Sequence, residues 1–211
     1  HVVLATGISP RKPAIPGIES DKVATYLDII EGRKVAGKSV AIIGAGGIGF
    51  DVGEFLTHAH DERSESERFN SEWGIDPTYA SRGGLKPAVD EKAPRKVYLL
   101  QRKESKVGDG LAKTTGWIRR TLLKKRGVTM IPGVSYERID EAGLHISVGG
   151  EAKTLPVDTI VVCAGQESRR ELKAPLEAAG IPVTLIGGAD VAAELDAKRA
   201  IDQGTRVAAA L

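Results

Sequence analysis

The sequence predicts an α/β fold in which parallel strands alternate with helices, and three observations support this prediction. Short apolar runs recur along the chain and end at glycines or charged residues, as strands buried in a parallel sheet do. Segments with helical spacing separate several of these runs. Glycine makes up 25 of the 211 residues, against roughly 7% in an average protein, which favours tight turns between strands and helices.

These runs and periodic segments give the elements in chain order. Strands are predicted at 1–7, 39–43, 96–100, 128–131, 158–165 and 183–186, with a hairpin where alternating apolar residues at 144–148 lead through two glycines to 153–157. Helices are predicted at 27–31, 50–56, 115–126, 172–179 and 191–209. Residues 58–94 are polar and longer than an ordinary connection, which favours an insertion, a lid or a mobile loop.

Composition narrows the class of protein. The net charge is +2 and no stripe of Lys and Arg alternates with aromatic residues, so we expect no nucleic-acid partner. No apolar run reaches the roughly 18–20 residues of a transmembrane helix, so we expect no membrane partner. Cys163 is the single cysteine, which excludes an internal disulfide and a cysteine-only metal cluster, and predicts a reducing, cytoplasmic setting.

A glycine-rich turn is the strongest sequence signal. Gly44-Ala45-Gly46-Gly47-Ile48-Gly49 follows the apolar strand 39–43 directly and opens a predicted helix. In such a turn Gly44 permits the tight bend, Gly46 lets a pyrophosphate approach the backbone, and Gly49 allows close packing of helix on strand. We therefore predict a Rossmann-like dinucleotide site, the alternative being a glycine turn that holds no ligand.

The end of the next strand indicates which dinucleotide binds. Sites for NAD usually place a carboxylate there for the ribose 2′-hydroxyl, whereas an arginine suits the 2′-phosphate of NADP. Here the strand ends at Gln101-Arg102-Lys103, and the first carboxylate is Glu104. We predict NADPH, with Arg102 and Lys103 as phosphate ligands; the alternative is a solvated cationic strand end.

Two similar strands suggest a split domain. The first ends Ala5-Thr6-Gly7 and the later one Cys163-Ala164-Gly165, so both end in a small residue, any residue and glycine. We interpret residues 38–153 as an inserted NADPH-binding domain. Residues 1–37 and 154–211 then form a partial FAD-binding domain.

Several segments also carry a family resemblance. These are residues 44–51, Asn70–Asp76, Leu100–Lys103, Lys113–Ile118, Ile131–Tyr136, Cys163–Glu167 and Leu185–Asp190. Together they resemble the bacterial NADPH-dependent 2,4-dienoyl-CoA reductases, of the NADH:flavin oxidoreductase and trimethylamine dehydrogenase-like group. The resemblance implies a glutathione-reductase-like fold and electron flow from NADPH to FAD, then through a 4Fe-4S cluster to FMN and the dienoyl-CoA. It also implies that the cluster and FMN belong to an N-terminal barrel of the same polypeptide, outside this sequence.

The resemblance adds further site residues. It implies that Gly187, Gly188 and Asp190 contact the FAD pyrophosphate and ribitol, the alternative for Asp190 being an N-cap of the final helix. It places Thr6-Gly7 and Ala164-Gly165 at crossing points beside flavin and nicotinamide. The sequence departs from the family pattern at Ser168-Arg169-Arg170 and at Arg119.

Other readings stay open. A related amine dehydrogenase or enoate reductase would use the same domain to bind ADP or NAD(P), and a non-catalytic module would use the turn as a scaffold. We expect no catalytic residue in this chain, because the cofactors carry hydride chemistry. We expect no metal site either, since His58, His60, Asp61 and Glu62 lie in a polar insertion.

Overall fold

The computed structural model describes residues 1–59, 62–193 and 197–211. The strands are β1 Val2–Leu4, β2 Ile8–Pro10, β3 Val23–Thr25, β4 Ser39–Ile43, β5 Lys96–Leu100, β6 Thr129–Ile131, β7 Val134–Asp140, β8 Gly143–Val148, β9 Glu151–Leu155, β10 Thr159–Val162, β11 Gln166–Ser168 and β12 Val183–Leu185. The helices are α1 Tyr26–Ile30, α2 Gly47–Thr57, α3 Glu65–Trp73, α4 Gly116–Lys125, α5 Lys173–Ala178 and α6 Ala197–Ala210. None of these described helices has the length and apolar character needed to cross a membrane.

The chain forms two compact units. The first joins residues 1–13 to 164–211, and the second is the continuous stretch 14–163. The boundaries predicted at 37/38 and 153/154 therefore fall inside the second unit. The reason is strand pairing: β3 and β10 lie outside the predicted insertion yet pair with each other, and β10 pairs with β4.

A five-stranded parallel sheet forms the centre of the larger unit. Its strand order is β3-β10-β4-β5-β6, and Ile43 lies opposite Leu100 at the end of the central pair. Val40, Ile42 and Leu99 are fully buried, because helices cover a parallel sheet on its faces. The chain moves outward from β4 through β5 to β6, and β10 and β3 lie on the other side of β4, so the strand order reverses beside β4.

A three-stranded antiparallel meander, β7-β8-β9, completes this unit. The predicted hairpin is confirmed as β8 and β9, which pair from Val148 and Glu151 to Leu144 and Leu155. Strand β7 is absent from the prediction. It pairs with β8 with a shift of register between Tyr136 and Arg138, which disturbs the simple alternation that marks a strand in sequence.

The polar stretch 58–94, predicted to be an insertion, a lid or a mobile loop, contains helix α3 in its described part. The Ser64 hydroxyl accepts a hydrogen bond from the Glu67 N–H, and the Glu67 carboxylate accepts one from the Ser64 N–H. This pair of bonds forms a capping box at the start of the helix. Gly74 ends the helix with a φ of 66°, a left-handed conformation that glycine adopts readily. The segment returns by way of a bridge between Ile75 and Leu85.

Within its described residues, the smaller unit contains two short strand pairs and the helices α5 and α6. Strands β1 and β12 are parallel, and β2 and β11 are antiparallel. The helix predicted at 191–209 is described as α6 from Ala197 to Ala210; residues 191–193 are not helical, and 194–196 lie outside the described residues. Asp190 is therefore not the N-cap of that helix; it follows a single 3₁₀ turn at Gly187–Ala189.

Candidate nucleotide-binding site

The predicted glycine turn lies at the carboxyl end of β4, where the strand order of the sheet reverses. Gly44 has a φ of 109°, which only glycine adopts without strain. Its N–H donates to the Leu100 carbonyl at 3.0 Å, which fixes the turn to the neighbouring strand β5. Ligands of open α/β sheets bind in the crevice at such a reversal.

The glycines of the turn differ in how much space surrounds them. A Cβ on Gly49 would lie 1.9 Å from the Gly44 carbonyl oxygen, so only glycine lets α2 begin this close to β4. Around Gly46 and Gly47, in contrast, no described atom beyond the adjoining residues and the helix's own backbone lies within 4 Å of where a Cβ would stand. The backbone of these two residues is exposed, which leaves space for a ligand to approach it.

The N-terminus of α2 is suited to an anion. No side chain caps the helix at Gly46, and its first turn contains no acidic residue. The first backbone N–H groups of a helix have no partner within the helix and carry the positive end of its dipole. The N–H groups of Gly47, Ile48 and Gly49 belong to this turn, so the arrangement fits a pyrophosphate.

The predicted cationic residues lie at the same edge of the sheet. Arg102 and Lys103 follow β5 after one intervening residue, Gln101, and both are exposed. Because β5 is the parallel neighbour of β4, its end lies next to the glycine turn. The Arg102 charge also acts on Tyr136, whose phenol pKa is raised chiefly by burial. The structure thus brings the glycine turn and the two cations together.

Cys163 lies at the same edge but is not suited to redox chemistry. It follows β10, and its N–H donates to the Ile43 carbonyl at 2.8 Å. Burial raises the pKa of its thiol to about 12, so at neutral pH the thiol is protonated and a poor nucleophile. Its side chain packs against the apolar core of the unit.

In the smaller unit, the structure brings together several residues that the resemblance singled out. Thr6 Oγ1 donates to the Arg169 carbonyl at 2.5 Å, and Arg169 N–H donates to the Gly7 carbonyl at 3.0 Å. A Cβ on Gly188 would lie 3.2 Å from the Gly7 carbonyl carbon. Thr6-Gly7 and Gly187-Gly188 are therefore neighbours, as a common site requires.

Asp190 is held by groups of the same unit. Its Oδ2 accepts from Gln203 Nε2 at 2.8 Å, and Gln203 Oε1 accepts from Gly187 N–H at 2.7 Å. The guanidinium of Arg170 donates to the main-chain carbonyls of Ala189 and Asp190. A carboxylate has about four acceptor positions, so Asp190 retains capacity for a ribitol hydroxyl, and its surroundings fit that role.

Ala164-Gly165 is covered by an arginine that the sequence analysis did not select. Arg11 Nη2 donates to the Ala164 carbonyl at 2.8 Å, and Arg11 Nε donates to the same oxygen at 3.1 Å. A Cβ on Gly165 would approach the guanidinium to 2.9 Å. Arg11 lies far from Ala164 in the chain, so no local pattern could have predicted this contact.

Of the remaining candidates, the structure describes His58, Glu62 and Arg119. His58 contacts Arg68, whereas His60 and Asp61 lie outside the described residues. No group of three or more His, Cys, Asp or Glu within the described ranges is placed to hold a metal ion. Arg119, one of the departures from the family pattern, pairs with Asp51 across α2 and α4.

The parallel sheet, its reversal point and the glycine turn define an FAD/NAD(P)-binding domain of the Rossmann-like type found in glutathione-reductase-like flavoproteins. The chain belongs to the pyridine nucleotide-disulphide oxidoreductase family, which matches residues 1–200. This confirms the predicted fold class. It also identifies the chain as an oxidoreductase domain.

Individual proteins are similar to this chain in sequence or in structure. A metal reductase of Desulforamulus reducens is 27% identical over 197 residues, covering 90% of this chain and 27% of the relative. The structure of a 2-naphthoyl-CoA reductase superposes with a TM-score of 0.72 at 22% identity, over 96% of this chain and 25% of the other. A 6-hydroxypseudooxynicotine amine oxidase from Pseudomonas geniculata N1 gives 0.72 at 20% identity, over 98% and 28%. The chain thus spans about a quarter of the length of these relatives.

Proposed function

We propose that this chain is the NADPH-binding module, with part of the FAD-binding domain, of an oxidoreductase that passes a hydride from NADPH to FAD for reduction of a 2,4-dienoyl-CoA. The observation that carries the proposal is the juxtaposition at the sheet edge of an uncapped helix, an open glycine turn and two exposed cations. The segments that resemble the dienoyl-CoA reductases support the dienoyl-CoA part of the proposal. The single cysteine, which is half-buried, suits a reducing cytoplasm.

The residues of this chain would bind and orient the dinucleotide. The N–H groups of Gly47, Ile48 and Gly49 would bind the pyrophosphate, and Gly44 and Gly46 would keep the backbone open to it. Arg102 and Lys103 would neutralise the 2′-phosphate. When bound, a reduced nicotinamide supplies the hydride and FAD accepts it.

For FAD, this chain would supply an incomplete site. Gly187 and Gly188 would lie against the pyrophosphate, and the Asp190 carboxylate would accept a hydrogen bond from the ribitol. Thr6-Gly7 and Ala164-Gly165 would border the flavin. In this proposal an N-terminal barrel of the same polypeptide contributes FMN, the 4Fe-4S cluster and the acyl-CoA pocket.

A calorimetric titration with NADPH, NADH and ADP tests the cofactor assignment. We expect NADPH to bind at least about tenfold more tightly than NADH, and Arg102→Glu to abolish the preference by placing a carboxylate where the 2′-phosphate would lie. Arg206→Glu is the matched control, because it reverses an exposed charge on α6 in the other unit. If Arg102→Glu leaves the NADPH/NADH ratio unchanged, the assignment is wrong.

A second candidate is a domain that binds ADP and transfers no hydride, as we infer for relatives of the amine dehydrogenase type. It is favoured by the fact that the turn and the two cations serve the adenosine half of a dinucleotide. Equal affinity for ADP and NADPH would support this candidate. NADPH-dependent loss of dienoyl-CoA absorbance by the full polypeptide would exclude it, along with a non-catalytic scaffold.

A further inference from the structure

The side chain of Gln101 is bonded to three places in the loop that carries the two cations. Gln101 is the first residue after β5. Its Nε2 donates to the Lys103 carbonyl at 3.0 Å and to the Ser105 carbonyl at 2.8 Å. Its Oε1 accepts from Gly108 N–H at 3.4 Å. One half-buried amide thus spans the loop from 103 to 108.

These bonds require an amide in one orientation. Two carbonyl oxygens face Nε2 and one N–H faces Oε1, so rotation of the amide by 180° would set oxygen against oxygen. A carboxylate, which accepts but does not donate, could not satisfy the two carbonyls. The position that holds an acidic residue in many NAD sites is therefore occupied here by a side chain that must donate.

The Gln101 backbone is itself fixed. Its N–H donates to the Ile131 carbonyl at 2.9 Å, and its carbonyl accepts from Val134 N–H at 2.9 Å. Gly133 N–H donates to the Lys103 carbonyl at 3.0 Å, so that oxygen accepts both from Gly133 and from the Gln101 amide. The loop is anchored from inside by Gln101 while the side chains of Arg102 and Lys103 face solvent.

We propose that Gln101 is a positioning residue that sets the preference for NADPH over NADH by holding Arg102 and Lys103 in place. This inference rests on the proposed function, since it assumes that the two cations bind the 2′-phosphate. Ordering the loop before binding reduces the conformational entropy lost when the phosphate is bound. NADH has no phosphate at this position, so its affinity is independent of the loop.

The test compares the dissociation constants of NADPH and NADH for the wild-type chain and for Gln101→Met, which keeps length and charge but removes the amide. We expect the Kd for NADPH to rise about tenfold and the Kd for NADH to change less than about twofold. Gln101→Glu should show at least the same selective loss. Ser105→Ala is the control, because its hydroxyl makes only a 3.5 Å contact with Nε2 and the two carbonyl bonds remain.

The outcomes separate this inference from the proposed function. If the wild-type chain binds both nucleotides equally, the cofactor assignment fails, and the role of Gln101 fails with it. If the wild-type chain prefers NADPH but Gln101→Met weakens both nucleotides equally, or neither, only the positioning role is overturned. Unchanged thermal melting of Gln101→Met would show that the variant is folded, and Gln101→Glu provides a second reading if it is not.

Discussion

At the glycine turn, neighbouring residues of the same type have opposite surroundings. Gly49 faces the Gly44 carbonyl oxygen, which leaves no space for a methyl group, whereas Gly46 faces open space. Gly46 also has a φ of −80°, which any residue can adopt. Glycine is therefore required at Gly49 for folding, whereas at Gly46 the fold does not require it and the space is open to a ligand.

Alanine substitutions should show this separation. Gly49→Ala forces α2 away from β4 and should lower the free energy of unfolding by roughly 1–3 kcal/mol. Gly46→Ala should change it by less than about 0.5 kcal/mol, yet weaken NADPH at least about tenfold, because the methyl group would occupy the space of the phosphate. Urea unfolding and calorimetric titration measure the two effects. Full NADPH affinity in Gly46→Ala would contradict a close approach at this residue.

The tight bend predicted at Gly44 and the close packing predicted at Gly49 are present because their cause is local. Gly44 and Gly49 are determined by one strand-to-helix turn, which is continuous in sequence. The amide of Gln101 and the guanidinium of Arg11 act through backbone carbonyls, which every residue has, so no residue type marks their partners. Arg11 and Ala164 come together only once β2 pairs with β11.

At the scale of elements, a buried ion pair joins Glu72 of α3 to Arg126 at the C-terminal end of α4. Arg126 Nε and Nη2 donate to the two carboxylate oxygens of Glu72 at 2.8 and 3.0 Å. The Arg126 and Glu72 side chains are 5% and 4% exposed. Lys125 adds a contact to the Trp73 ring, 5.6 Å from its centroid. The polar segment 58–94 is thus attached to the domain through charges.

Removal of one charge from this pair should destabilise the larger unit. In Glu72→Gln the buried Arg126 loses its counter-ion, and we expect a loss of about 3 kcal/mol in the free energy of unfolding. Arg119→Ala is the matched control, since it also breaks a pair involving α4, with Asp51, but both side chains are at least 40% exposed. The control should cost less than about 1 kcal/mol. Equal losses in urea unfolding would contradict the dominant role of burial.

The elements differ in how far the sequence could predict them. Strands β4 and β5 have the predicted bounds because their apolar runs end abruptly at turn residues. Helix α3 was missed because its buried residues are Arg68 and Glu72, so the inward face has no apolar periodicity. Its capping box, Ser64 with Glu67, was the one signal that could have located it.

At the scale of the larger unit, five carboxylates have a lowered pKa for the same reason. Hydrogen bonds from neighbouring side chains are the largest cause that lowers the pKa of each, below ordinary values of 3.8 for Asp and 4.5 for Glu. They are Asp28, Glu67, Asp76, Asp140 and Asp158. They cap helices, close turns and join strands, so their ionised form contributes to many elements at once.

The unit should therefore lose stability in acid. Because the folded-state pKa values lie below the unfolded ones, the unfolded chain binds more protons as the pH falls. Stability from these groups is complete above the unfolded pKa and is lost as pH falls through the folded pKa. We expect the urea midpoint to decrease steadily below about pH 4. Asp158→Asn still accepts from the Ser39 N–H but cannot ionise, so it should reduce this decrease; a midpoint independent of pH would contradict the role of the carboxylates.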